Sequence, residues 1–257
     1  ARELAALGEV YVNEAFPVCH RAHASLVGVS RRLPHYAGLF LDQEVDVLER
    51  VMQKPKKPLV LLVGGAKVES KLPMVSAFIR KADYVLLGGV VANTVWRAKG
   101  YHLGSSLYDR TQLSLAKRVA RYGNIILPID VVVSRRAWWR KGEKLIVKKP
   151  EQVQRGEKIV DIGPETIRLF ASYLRKASTM LWNGPMGQFE IVAYSHGTIA
   201  LGVFLASRAK GVALGIVGGG ETIAALEKTK MTGFVDHVST GGGAMLTFLA
   251  TGTLPAI

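Results

Sequence analysis

Four short apolar runs in this chain end in glycine-containing turns: Gly64-Gly65, Gly88-Gly89, Gly184 and Gly218–Gly220. A second triple, Gly241–Gly243, follows HVST near the end. Glycine costs about 0.5–1 kcal/mol where ordinary secondary structure would serve. Three in a row before a helical pattern therefore need a reason. Bare N–H groups at the mouth of a helix, with the partial positive charge of that helix end, make an anion site, ordinarily for phosphate. The predicted chemistry is capture of a phosphorylated ligand by the backbone. Simple left-handed turns also use glycine, but four such turns in one sheet favour the ligand. Other chemistries lack their residues. GGAKVESK (residues 64–71) does not have the Walker A spacing, no G-x-G-x-x-G follows the first strand, and no G-x-S-x-G elbow is present. Cys19, His20 and His23 lie close together but have no second ligand pair, which makes a poor metal site.

The elements that must position these turns follow from hydrophobic periodicity. Leu59–Val63, Tyr84–Leu87, Ile125–Val133, Thr179–Trp182 and Ala213–Val217 are short apolar strands alternating with helices. The third of them is interrupted at Pro128. This pattern predicts an α/β fold with a parallel sheet covered on both faces and right-handed crossovers. In such sheets, ligands bind beyond the carboxyl ends of the strands, where the glycines are. Upstream, Tyr11–Phe16 reads as a strand running into a loop. Asp42 is placed to cap a helix carrying Val45, Leu48, Val51 and Met52 on one face. KPKKP (residues 54–58) then breaks the pattern and marks a domain boundary.

Composition narrows the class. The chain has 257 residues, 49% of them hydrophobic and 21% charged, as in a globular protein able to bury a large core. No apolar run approaches the roughly 18 residues of a membrane helix, so no membrane partner is expected. One cysteine excludes an internal disulfide and points to a reducing, cytoplasmic setting. The net charge of +14 favours anionic partners. Much of it lies in Arg135–Lys158, with nine Lys or Arg against three Glu, plus Trp138 and Trp139. No RNA- or DNA-binding motif accompanies that stretch, so it is read as a solvated loop or hairpin rather than a nucleic-acid site.

GGAKVESK, WNGPMGQFE (182–190), GGGET (218–222) and HVSTGGGA (237–244), in this order, closely resemble the phosphoglycerate kinase family. HRAHAS (20–25) and LLGGVVANT (86–94) fit it too, so the resemblance covers essentially the whole chain. It implies two Rossmann-like lobes joined by a hinge helix. One lobe binds Mg²⁺ with ATP or ADP; the other binds 3-phosphoglycerate. The implied reaction is reversible phosphoryl transfer between 1,3-bisphosphoglycerate and ADP in glycolysis, by a full-length enzyme expected to be monomeric. By this resemblance residues 1–41 are a remnant of the N-terminal lobe and 42–57 the hinge helix and linker. Residues 58–239 are the nucleotide-binding lobe, and 240–257 return toward the N-terminal lobe. Gly65, Ala66, Gly88 and Gly89 belong to the implied nucleotide site. Lys67 holds the transferring phosphoryl group and Lys71 meets the nucleotide phosphates. Gly163, Gly184, Met186 and Phe189 shape the adenosine pocket, Asn183 bonds near the phosphates, and Glu190 accepts from the ribose. Gly218, Gly219, Gly220 and Thr222 lie against the phosphates, Glu221 contacts the metal, and Arg21 binds the acceptor. Gly241, Gly242 and Gly243 present amides to the phosphoryl group in flight.

The sequence also departs from the family pattern. Glu221 stands where Asp is usual, Val90 where a third glycine is common, and NEAFPVCHRAH (13–23) replaces a more usual loop. The family's first third has no counterpart here. The chain is thus expected to be a fragment, nearly inactive alone, with apolar surface exposed in residues 1–41. The competing readings are a nucleotide-binding module without catalysis, a nucleic-acid-binding protein and, more distantly, an NAD-dependent dehydrogenase.

Overall fold

The computed structural model describes residues 1–135 and 144–257. Helix α1 (Arg2–Ala5) leads to β1 (Tyr11–Asn13), which pairs in parallel with β2 (His35–Ala37) apart from the main sheet. Helix α2 (Leu39–Gln53) follows. The chain then alternates through β3 (Leu59–Val63), α3 (Val68–Phe78), β4 (Tyr84–Leu87), α4 (Gly89–Ala98), α5 (Leu113–Val119) and β5 (Ile125–Ile126). Three strands, β6 (Val131–Ser134), β7 (Ile146–Lys148) and β8 (Lys158–Ile162), form a small antiparallel sheet in the order β7-β6-β8. The second half runs α6 (Pro164–Lys176), β9 (Thr179–Asn183), α7 (His196–Arg208), β10 (Leu214–Gly218), α8 (Gly220–Lys228), β11 (His237–Ser239) and α9 (Gly242–Thr251).

The main sheet is fully parallel, in the order β11-β10-β9-β3-β4-β5. The chain winds outward from β3 in one direction and from β9 in the other, the doubly wound Rossmann-type order. Its switch point lies between β3 and β9, where Val63 pairs with Asn183 at the carboxyl ends. Period-2 alternation explains the two covered faces. Leu59, Leu61 and Val63 join a core with α3 (Leu72, Val75, Phe78) and α9 (Met245, Phe248, Leu249). Val60 and Leu62 join the opposite core with α6 (Phe170, Leu174) and α7 (Leu201, Leu205). Every residue of β3 and β9 is buried, as expected of a parallel sheet clad on both sides.

The structure corrects two local expectations and refines a third. Ile125–Val133 is not one strand: β5 ends at Ile126 in the main sheet, and β6 starts at Val131 in the other sheet. Pro128 lies in the break, where its missing N–H cannot serve a ladder. Asp42 does not cap α2, which starts earlier, with Gly38 at its N-cap. The cap comes from Glu14, whose carboxylate accepts the amides of Phe40 (3.3 Å) and Leu41 (3.0 Å). The basic stretch after Arg135 contributes β7 to a hairpin with β6; Trp138 and Trp139 lie outside the described residues.

The segment after β11 returns to the first residues. Ala256 receives the Asn13 side-chain amide at 3.0 Å and donates to the Cys19 carbonyl at 3.3 Å. Leu7, Tyr36, Leu39 and Phe40 are exposed, the apolar surface expected in residues 1–41. No helix among the described residues is long and apolar enough to cross a membrane.

Candidate nucleotide site

The glycine turns at the switch point are tied to one another. Gly64 donates to the Asn183 carbonyl (3.0 Å), Gly65 to Pro185 (2.7 Å), Gly88 to Val63 (2.8 Å) and Gly89 to Met186 (2.9 Å). Gly184 donates to the Thr222 hydroxyl at 2.7 Å. Those amides are already spent, so the expected outward-pointing anion donors are not found there. The turns instead make room for Lys71. Its ammonium donates to the Gly64 carbonyl at 2.6 Å, and the residue is 5% exposed. Gly65 (φ 82°) and Gly184 (φ 90°) take backbone conformations that suit glycine, and a Cβ on either would collide with the Lys71 ammonium. Burial lowers the Lys71 pKa to about 8, opposed by the field of Glu221.

The triple glycines behave differently. The amides of Gly219, Gly220, Gly241, Gly242 and Gly243 find no acceptor among the described residues. Both triples open onto one cleft of about 280 Å³, lined by Lys67, Ser70, Lys71, Asn183, Gly184, Gly219, Gly220, Glu221, Thr222, Gly242, Gly243 and Leu246. It thus collects two lysines, the starts of α8 and α9, and one carboxylate. Asn183 is 2% exposed, and its side-chain NH₂ has no partner among the described residues. An unmatched buried donor in a cleft rich in positive charge is what an anionic ligand would satisfy. The second triple is held from α2. Glu44 accepts the Thr240 amide (2.7 Å) and hydroxyl (2.8 Å), and its other oxygen lies 2.8 Å from His237 Nε2. Burial alone would raise the Glu44 carboxyl, but the bonds from His237 and Thr240 hold it below its ordinary value.

A second cavity, about 390 Å³, adjoins the first at Glu221. Gly65, Ala66, Gly89, Val90, Pro185, Met186 and Ile191 give it mostly apolar walls, with Glu190 at the edge. Asp161 of β8 also lines it, with its carboxylate accepting the amides of Gly197 (2.7 Å) and Ile162 (2.9 Å). Burial nevertheless pushes Asp161 up to about 7.

The remaining expected site residues lie around these cavities. Gly88 and Gly218 leave room for Met186 and Met245, respectively. Gly163 caps α6 against the Asp130 carboxylate and lines neither cavity. Phe189 is buried, with the Lys228 ammonium 4.8 Å from its ring centre. Gly241 packs against Phe16. Arg21 lies beyond the second triple, where its Nε donates to His20 at 3.3 Å, and the same ring packs beside Gly243. Sequence reasoning missed Asp161, Glu44 and Asn93. Asp161 belongs to the quoted DIGPET, but its burial depends on the small sheet.

The phosphoglycerate kinase family model matches residues 1–252. The whole chain is 41% identical to the phosphoglycerate kinases of Pelotomaculum thermopropionicum and Moorella thermoacetica, and it spans 65% of their length. Among solved structures it is similar to phosphoglycerate kinase from Coxiella burnetii, with a TM-score of 0.89 and 39% identity over all of this chain and 66% of that one. The Pyrococcus horikoshii enzyme gives a TM-score of 0.81 and 33% identity over 99% of this chain and 64% of that one.

Proposed function

The chain belongs to the phosphoglycerate kinase family, and on that premise we propose that its two adjoining cavities hold the base and the phosphates of ADP or ATP. The observation that carries this reading is their junction. An apolar cavity and a cationic, amide-lined cleft share Glu221 beyond the carboxyl ends of a doubly wound sheet. The reaction proposed is reversible phosphoryl transfer between 1,3-bisphosphoglycerate and ADP. A carboxylate acceptor is already ionised, so no general base is required, and catalysis rests on positioning and charge neutralisation. Lys71 and the Asn183 amide hold the nucleotide phosphates. Lys67, at the start of α3, follows the transferring group as a mobile point charge. The open amides of Gly242 and Gly243 meet developing negative charge at the start of α9. Glu190 accepts from the ribose. Arg21, beyond this loop, meets the acceptor phosphate.

Mg²⁺ bound with the nucleotide would screen the phosphate charge. The donor set fits it: Glu221 is the one carboxylate lining the phosphate cleft, and Mg²⁺ commonly uses one or two carboxylates plus substrate oxygens. Its extra methylene relative to Asp is carried by a helix start that faces both cavities.

On its own the chain is proposed to bind nucleotide and turn over poorly, since Arg21 is the one acceptor-side cation assigned. Calorimetric titration with ADP, with and without Mg²⁺, tests this. Saturable binding strengthened by Mg²⁺ is expected; absence of binding in a folded sample would remove the reading.

A further inference from the structure

A third cavity, of about 360 Å³, shares no lining residue with either cavity of the nucleotide site. Arg97, one turn beyond Asn93 on α4, lines it with His102, Tyr108 and Arg155. No carboxylate is among its described lining residues, and Arg97, His102 and Arg155 have no ion-pair partner among the described residues. The acids beside Tyr108 and Arg155 in sequence are engaged elsewhere. Asp109 accepts the Thr111 amide at 2.8 Å and its hydroxyl at 2.6 Å. Glu157 is buried, with the Lys148 ammonium at 2.9 Å and the Gln154 amide at 2.9 Å.

The cationic groups are held in place. Arg97 Nη1 donates to the Tyr101 carbonyl at 3.3 Å, which ties its guanidinium to the loop after α4. The guanidiniums of Arg97 and Arg110 lie 5.6 Å and 5.9 Å from the Tyr108 ring centre, and bonds from these two arginines hold the Tyr108 hydroxyl below its ordinary pKa. Gly104 (φ 59°) packs so closely that a Cβ would collide with the Gln154 and Glu157 carbonyls. Ser105 donates to the Glu157 carbonyl at 2.7 Å. The loop carrying His102 is thereby fastened to the turn carrying Arg155.

Two guanidiniums and an imidazole around one concave space give donors and positive charge with nothing of opposite sign to meet them. Arginine forks match the oxygens of a phosphate two at a time, and charge-assisted bonds of this kind are the strong ones. We propose that this cavity is a second anion site, separate from the phosphate cleft, for a phosphate dianion that is free or heads a small monoester. The inference does not depend on the nucleotide reading.

Titrating the chain with inorganic phosphate and, separately, with glycerol 1-phosphate tests the proposal, at constant pH and ionic strength. The readouts are the Gly104 and Arg155 amide resonances and the His102 ring. Saturating shifts at these groups are expected, with a dissociation constant of about 1 mM or tighter. The tighter of the two probes identifies the ligand as free phosphate or a monoester. Arg155→Gln, at an exposed position, should weaken this binding at least about tenfold. The Gly242 amide, in the phosphate cleft, should respond alike in both proteins. Shifts at Gly104, Arg155 and His102 no larger than sodium chloride of equal ionic strength produces would overturn the proposal. So would unchanged affinity in Arg155→Gln.

Discussion

The two sets of glycine turns look alike in sequence and are used in opposite ways. Gly64-Gly65, Gly88-Gly89 and Gly184 give their amides to neighbouring turns, and two of them enclose the Lys71 ammonium. The amides of Gly219, Gly220, Gly242 and Gly243 have no acceptor among the described residues, and these four glycines line the cleft beside Glu221. One set builds the cleft and the other is proposed to face the ligand. Glycine content alone does not separate them. What does is whether a neighbouring turn or strand end supplies an acceptor, as Asn183, Pro185, Val63, Met186 and Thr222 do for the first set.

Substitution should separate the two sets most strongly at Gly184. An alanine there combines a φ of 90° with collision against the Gly64 carbonyl and Lys71, and at least about 3 kcal/mol of stability should be lost in denaturant unfolding. Unchanged stability would mean the closed turns are not packed as described. Lys71→Met should act in the other direction. At pH 7 it should raise stability by about 2 kcal/mol, the relief of a buried ammonium less its bond to Gly64, while ADP affinity falls. The sign follows from linkage. A lysine lowered from 10.5 to about 8 costs stability below pH 8 and ceases to do so as pH rises toward 10.5. Wild-type stability should therefore gain on Lys71→Met across that window. ADP affinity should weaken above pH 8, as the free protein loses that charge.

Next in size, Asn183→Leu removes the unmatched buried donor. ADP affinity should fall about tenfold without loss of stability. A loss of stability with affinity intact would make that amide structural. Smallest of all, Gly220→Ala places its Cβ in open space at the start of α8, so stability should change by no more than about 1 kcal/mol. Set beside Gly184→Ala, it measures the contrast between the two sets directly.

Much of this was legible in the chain. β3 is apolar along its whole length and β9 from Met180 to Trp182 because both faces are covered, and the glycines after them mark where the crevice opens. What the sequence hid is what depends on distant partners. Glu14 caps α2 from 26 positions upstream. Asp161 is buried by a small sheet whose central strand reads as a continuation of Ile125-Ile126. Lys71 has the look of a solvated helix lysine until two turns close over it. The division of labour among the glycines was invisible for the same reason, because each closed amide's partner lies on another element or turn.

The most direct test is a titration of backbone amide resonances with ADP and, separately, with adenosine. The account predicts that ADP shifts the Gly219, Gly220, Gly242 and Gly243 amides strongly downfield, as new acceptors reach them, and that adenosine leaves them in place. If adenosine moved them as far as ADP, or ADP left them unmoved while binding, the open glycines would not be the phosphate donors.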